Sequence, residues 1–310
     1  RMMMMGLRFM GDVPFKGIYL HGMVRDEKGQ KMSKTKGNVI DPLAVTDEYG
    51  ADALRFTLAT MAAQARDVSL NMSRVAGYRA FANKVWNASR YVLMNIEDDQ
   101  PGELDLDDTA SLSLADRWIL HKLDLTIEEV TRALDAYRLD EAASGIYTFV
   151  WHSYCDWTLE LSKPTLRQDD QAALKTKQVL LHVLDRALRL LHPFMPYITE
   201  EIWTQLPLSG RSVDSVMIAD WPVSDPRRRD LQATESLDRV IDVIAAVRTI
   251  RGENRISPKT GVSVTVATPD ALTAELIEGA SEYVAHVAGV TQLTVQVNAA
   301  RPPKSALSIS

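Results

Sequence analysis

The sequence predicts a multidomain, mainly α-helical protein. It reads as the end of an α/β domain, then a helical bundle, then a small α+β unit. Three observations carry this. Apolar residues recur at three- and four-residue spacing over five long stretches between Ser73 and Arg251. Strand-like patterns are confined to the ends, as a short apolar run at Ile18–Val24 and alternation at Val262–Val266 and Leu293–Val297. A length of 310 residues suits two or three domains of ordinary size.

Composition narrows the classes. Hydrophobic residues make up 46% and charged residues 25%, as in a soluble globular protein. A net charge of −6 does not announce a nucleic-acid binder, so any such binding needs Lys and Arg gathered on one face. Cys155 is the only cysteine, which excludes an internal disulfide and a cysteine-based zinc site and fits a reducing cytoplasm. No metal site is expected. No apolar run reaches membrane-spanning length. Arg1 followed by Met2–Met5 lacks the apolar core and cleavage site of a secretory signal, and an opening on arginine is expected of a fragment.

In chain order, Met2–Phe9 reads as a helix remnant closed by Gly11, and Asp12-Val13-Pro14 as a turn. Ile18–Val24 fits a buried strand. Asp26-Glu27-Lys28-Gly29 then turns the chain into Gln30-Lys31-Met32-Ser33-Lys34-Thr35-Lys36-Gly37-Asn38. Three lysines in six residues, between two glycines, can close over a polyphosphate and withdraw. The bland reading is a solvated basic turn. His21 reads as structural. Asp41-Pro42 starts a helix that runs to Tyr49 and stops at Gly50, and Ala51–Met61 is a second helix. Ala65–Asn71 reads as irregular, with a salt bridge between Arg66 and Asp67 or another carboxylate as the default.

Ser73 is read as the cap of a long helix to about Asn95, with Val75, Tyr78, Ala82, Val85, Ser89 and Val92 on its core face. Glu97–Asp108 is an acidic connection. Bundle helices follow over Asp116–Tyr137, Asp140–Leu161, Asp170–Leu191 and Pro196–Leu206, with Pro164 placed beyond the end of the second. Trp151, Trp157 and Trp203 can stack on unpaired bases, but apolar company favours core packing. His152 with Cys155 is a metal pair lacking a second pair. Gly210–Arg229 is a loop ending in a solvated Arg227-Arg228-Arg229 run. A last helix, Leu231–Arg251, buries Leu237, Val240, Ile241, Ile244 and Val247. Its terminal cations Arg248 and Arg251 complement the helix dipole or meet phosphates.

The lysine loop resembles the Lys-Met-Ser-Lys-Ser signature of class I aminoacyl-tRNA synthetases, with Thr35 where the family usually has Ser. Gly17–Val24 and Gly50–Phe56 look like the segments flanking that loop. Asn83-Lys84-Val85-Trp86-Asn87-Ala88, Cys155-Asp156-Trp157-Thr158-Leu159-Glu160 and His192-Pro193-Phe194-Met195-Pro196 resemble strings of the family's helical domain. Together these resemble the C-terminal half of the valine-specific branch over nearly the whole chain. The lysine motif alone says only class I. The Asn83–Asn87 and Cys155–Glu160 strings favour valine over the isoleucine and leucine relatives.

The resemblance implies five regions. Residues 1–41 would end a Rossmann-like catalytic domain, 42–108 form a helical stem-contact region and 109–229 an anticodon-binding bundle. Residues 230–300 would hold the last helix and the α+β unit, and 301–310 a tail. The implied parent is a cytoplasmic, monomeric ligase that activates valine with ATP and Mg2+ and transfers it to tRNA(Val). Lys34 and then Lys31 match the family's catalytic lysines, and Lys31, Met32, Ser33 and Lys34 the nucleotide-binding set. Lys36 falls outside it. Anticodon-arm contacts are expected at Lys84, Asn87, Arg90, Arg248 and Arg251. No His-x-Gly-His segment, amino-acid pocket, editing domain or coiled coil is seen, so the chain alone is expected not to activate valine. A tRNA-binding module without catalysis, and a free-standing helical interaction domain, remain as readings of another class.

Overall fold

The helices begin and end at side chains that supply or withhold backbone hydrogen bonds. A computed structural model describes residues 1–62, 67–96, 101–168, 170–226, 229–257 and 259–299, and only the backbone of Lys34. The chain divides into two compact units. The first comprises 1–82 and 129–145; the second comprises 83–128 and the residues from 146 onward.

In the first unit, α1 (Met2–Met5) widens into a π-helical turn over Gly6–Met10 that ends at left-handed Gly11. Helix α2 (Pro42–Tyr49) has Asp41 as its cap, whose carboxylate accepts from the Leu43 N–H. It stops at Gly50, where α3 (Ala51–Met61) begins. Val45, Ala53, Leu70 and Val75 form a core against which Met32, Ile40 and Tyr78 pack. Phe56 is fully buried, with the Tyr78 and Phe81 rings 4.8 and 5.4 Å away. Helix α4 (Met72–Ile96) starts in this unit. Its first turn is capped by Asn71, whose Oδ1 accepts from Ser73 N–H at 2.7 Å, so Ser73 is the capped residue and not the cap.

The strand predicted over Ile18–Val24 is reduced to β1 (Val24–Arg25), paired in parallel with β2 (Val68–Ser69). Ile18 and Leu20 are 65% and 73% exposed. An extended segment becomes a strand only where a neighbour supplies backbone partners. Among the described residues β2 does so, through Val68 N–H to Met23 O and Leu70 N–H to Arg25 O. The segment read as irregular therefore contributes that short strand. Arg66 lies outside the described residues, and Asp67 pairs with Arg25.

The second unit is mainly helical. It contains the start of α5 (Leu114–Asp135), which has a Ser113–Asp116 capping pair. Helix α6 (Leu139–Thr148) falls mostly in the first unit; within the second, a π-helical segment over Phe149–Thr158 runs directly into α7 (Leu159–Leu166). Pro164 lies inside α7, not beyond it. Lacking an N–H, it costs α7 one intrahelical hydrogen bond close to the helix's end at Leu166. Asp170 caps α8 (Gln171–Leu191), and α9 spans Pro196–Gln205. Ile119, Tyr154, Leu161, Leu180, Leu188 and Leu191 are almost completely buried. Each such leucine contributes about 1.5–3 kcal/mol of transfer free energy.

Helix α10 (Leu231–Glu253) is capped by Asp230. It is tied to α5 by Trp118 Nε1–H to Asp238 at 2.7 Å and by the Arg117–Asp230 pair at 2.8 Å. Strands β3 (Val262–Thr268) and β4 (Val290–Val297) pair in parallel, and the two helices between them, α11 (Ala271–Gly279) and α12 (Ser281–Ala288), supply the crossover that parallel pairing needs. Residues 301–310 lie outside the described residues.

Candidate functional site

The lysine loop is framed by two left-handed glycines, Gly29 at φ 72° and Gly37 at φ 66°, a conformation glycine adopts without steric cost. Between them Lys31 forms an antiparallel bridge with Arg25, and the backbone of Lys34–Lys36 makes one 3-10 turn. Met32 packs on the core of the first unit, which anchors the loop from below. Lys31, Thr35 and Lys36 are exposed.

Asp26 and Asn38 hold this arrangement, and the motif reading missed both. Asp26 Oδ1 accepts from Lys28 N–H at 3.1 Å and Gln30 N–H at 2.7 Å; its Oδ2 accepts from the Asn38 amide at 2.8 Å. The same Asn38 amide reaches Lys31 O at 3.3 Å, while Asn38 Oδ1 accepts from Ser33 N–H at 2.9 Å. Ser33 closes the turn by accepting from Lys36 N–H through both its carbonyl and its hydroxyl. The Asn38 amide, then the Gln30 N–H, hold the Asp26 carboxyl below its ordinary range. The available signal was the residue chemistry: an Asp at the first position of a turn and an Asn just past a glycine both bond local backbone. His21 engages only the adjacent Gly22 carbonyl.

In the second unit the π-helical segment gathers aromatic and charged groups. Its wider turn is visible in Thr158, whose hydroxyl donates to Ser153 O five residues back. Such segments are frequent at functional sites. Lys84 ion-pairs with Asp156 and sits 3.9 Å from the centroid of Trp151. Tyr147 stacks on Trp151 at 5.5 Å, and His152 Nδ1 lies 3.2 Å from Asp156 Oδ2. Arg248 lies 5.8 Å over Trp157 and donates to Val287 O at 3.2 Å. Trp151 and Trp157 are half-buried, whereas Trp203 is core, with its indole N–H on Asp185 at 2.6 Å. Asn87 and Arg90 are exposed on α4.

Arg251 has a structural place. It is 7% exposed and donates to Ser257 O at 2.6 Å, Thr260 O at 2.8 Å and Gly289 O at 3.2 Å. Arg229, read as part of a solvated run, instead pairs with Asp124 at 2.6 Å and Glu128 at 2.5 Å; Arg227 and Arg228 lie outside the described residues. Burial pushes the thiol of half-buried Cys155 up to about 12. Among the described residues no group of three or more His, Cys, Asp or Glu converges on a metal position. A cleft of about 350 Å³ in this unit is lined by Arg186, Arg189, Arg211, Asp185 and Trp203, among others. Its charges engage one another and nearby carbonyls: Arg189 meets Asp185, and Arg211 caps the carbonyls of Trp203, Thr204 and Leu206.

Two families match the sequence. One, described as tRNA synthetases class I (I, L, M and V), covers residues 1–71. The other, the anticodon-binding domain of tRNA ligase, covers residues 116–266. The chain is 49% identical to a valine–tRNA ligase of Syntrophotalea carbinolica over all of its own length and 34% of that protein. It is 47% identical to one of Geobacter sulfurreducens, over all of its length and 35% of the relative. The chain thus spans about a third of the length of the curated relatives it matches. Among solved structures, a ternary complex of Agrobacterium radiobacter K84 agnB2 LeuRS with tRNA and LeuAMS matches at a TM-score of 0.57 and 26% identity. That match covers 74% of this chain and 27% of the other.

Proposed function

We propose that the chain, similar over its whole length to valine–tRNA ligases, supplies the ATP-facing lysine loop and the anticodon-arm domain of a class I synthetase of that kind. The observation that carries this reading is identity of 42–49% to valine–tRNA ligases running through both the loop and the helical unit. The functional division is the five-region one: catalytic end with loop, stem-contact helices, anticodon bundle, last helix with its α+β unit, and tail.

In the proposed reaction the valine carboxylate attacks the α-phosphorus of ATP and pyrophosphate leaves. Mg2+ enters with ATP as part of the substrate. Negative charge gathers on phosphate oxygens in the transition state. The ammonium groups of Lys34 and Lys31, by their match to the family's two motif lysines, stabilise that charge when the loop closes. Met32 supports the loop through its core contacts, and Ser33 holds its turn. Aminoacyl transfer then needs tRNA(Val) held along the helical unit. Lys84, Asn87, Arg90 and Arg248 are the proposed phosphate and base contacts. The protein works as a cytoplasmic monomer in this reading.

Valine-dependent ATP–pyrophosphate exchange by the full-length protein that contains this chain tests the proposal. Lys34→Ala is expected to lower kcat about 10²–10³-fold, the effect of losing one transition-state donor. Exchange driven better by isoleucine or leucine, or left unchanged in Lys34→Ala, would overturn it.

A further inference from the structure

One carboxylate closes both ends of the lysine loop. Asp26 Oδ1 takes the N–H of Gln30 at the loop's start, and Asp26 Oδ2 takes the side-chain amide of Asn38 at its end. The orientation of the Asn38 amide is forced. An ionised carboxylate only accepts, so Nδ2 faces Asp26, and Oδ1 is left to receive Ser33 N–H from within the loop. The Ser33 N–H is a donor that a phosphate oxygen can use. While the Asn38 amide is held by Asp26, its Oδ1 stays aimed at that donor, so the Asp26–Asn38 brace favours the loop conformation in which Ser33 N–H is occupied.

We propose that Asp26 and Asn38 are positioning residues that set how readily the lysine loop leaves its braced conformation for the one that contacts ATP. The proposal rests on the reading of the loop as nucleotide-facing. It predicts a dependence on chemistry and not on size. Aspartate at position 38 has nearly the shape of asparagine, but it brings a second carboxylate to hydrogen-bond distance of Asp26 and has no donor to offer. Like charges at that distance repel, so the brace opens. Exchanging the two residues restores one donor opposite one carboxylate.

The test compares wild type, N38D, D26N and the swap D26N/N38D in the full-length protein, by valine-dependent pyrophosphate exchange. A second readout uses the 310-residue chain itself: the rate of trypsin cleavage after Lys31, Lys34 and Lys36. N38D is expected to lose at least tenfold in kcat with the KM for valine within twofold, and to be cut at least fivefold faster in the loop. The swap is expected to recover to within threefold of wild type in both readouts. N38D within twofold of wild type in both, or a swap no better than N38D, overturns the proposal. If N38D does not fold, D26N takes its place as the single variant. If wild type shows no valine-dependent exchange, the functional reading fails. The brace is then decided by trypsin alone: faster loop cleavage in N38D and recovery in the swap support it, and equal rates overturn it.

Discussion

The indole N–H of Trp203 donates to the carboxylate of Asp185 across 2.6 Å inside the core of the second unit. Asp185, 3% exposed, also takes Arg189 Nε at 3.0 Å one turn along α8. A buried carboxylate is kept by its partners, and removing it strands them. Asp185→Ala is therefore expected to cost about 2–3 kcal/mol, because it strands the buried indole N–H and takes from the half-buried Arg189 one of its acceptors, the Asp220 carbonyl remaining. Trp203→Phe keeps much of the packing and loses one bond, at about 1–3 kcal/mol. Urea unfolding of the chain checks both. A cost below about 1 kcal/mol for Asp185→Ala contradicts the argument.

Arg248 and Arg251 lie three residues apart and are expected to behave oppositely. Arg251→Ala removes three hydrogen bonds from a buried guanidinium, although Ser257 O and Gly289 O keep the N–H groups of Thr260 and Val262, and is expected to cost roughly 2–3 kcal/mol, read as lost thermal stability. Arg248→Ala removes an exposed cation over Trp157 at about 0.5–1 kcal/mol. Its main effect is expected in tRNA binding, with a shallower dependence on salt. Equal stability losses in the two variants would count against this division.

Asp116 gives a pH dependence of unusual sign. Burial raises its carboxyl, against the opposing hydroxyl bonds from Ser113 at 2.7 Å and Thr176 at 2.8 Å. An acid raised on folding binds its proton more tightly in the native state, so its contribution to stability falls as pH rises from the ordinary carboxylate range toward the raised value. Asp116→Asn removes the charge. Its stability relative to wild type is expected to improve between pH 4.5 and 7.5, by urea unfolding at each pH. A difference that is flat or worsens with pH contradicts this.

Cys155 is expected to be inert in the native chain. With burial pushing its thiol up to about 12, almost none is thiolate at pH 8. Iodoacetamide at that pH should label it only after unfolding, as mass spectrometry reads directly. Rapid native labelling would show the thiol open to solvent.

The helical part of the fold was legible because a three-four apolar spacing needs only the residues of its own helix. Leu237, Val240, Ile244 and Val247 are buried as their spacing requires. Ile18–Val24 was not legible, because a strand depends on partners elsewhere in the chain, and β2 offers two residues. Pro164 misled because a proline usually marks a helix's end from outside, and here it marks it from inside. In the candidate site the lysines stand out as charges, but the residues that hold them do not. Asp26 and Asn38 are ordinary turn residues until their side chains are seen to meet. Arg251 looked like Arg248 because one-dimensional spacing cannot tell a buried guanidinium held by three carbonyls from an exposed one that meets a single carbonyl.

Binding of the chain to a valine tRNA, and to the same tRNA with its anticodon changed, at matched moderate salt, tests the central claim most directly. The change is expected to weaken binding at least tenfold, about 1.4 kcal/mol, with both complexes weakening as salt rises. Equal binding of the two tRNAs, lost together in salt, would contradict it and leave phosphate attraction as the whole of the interaction.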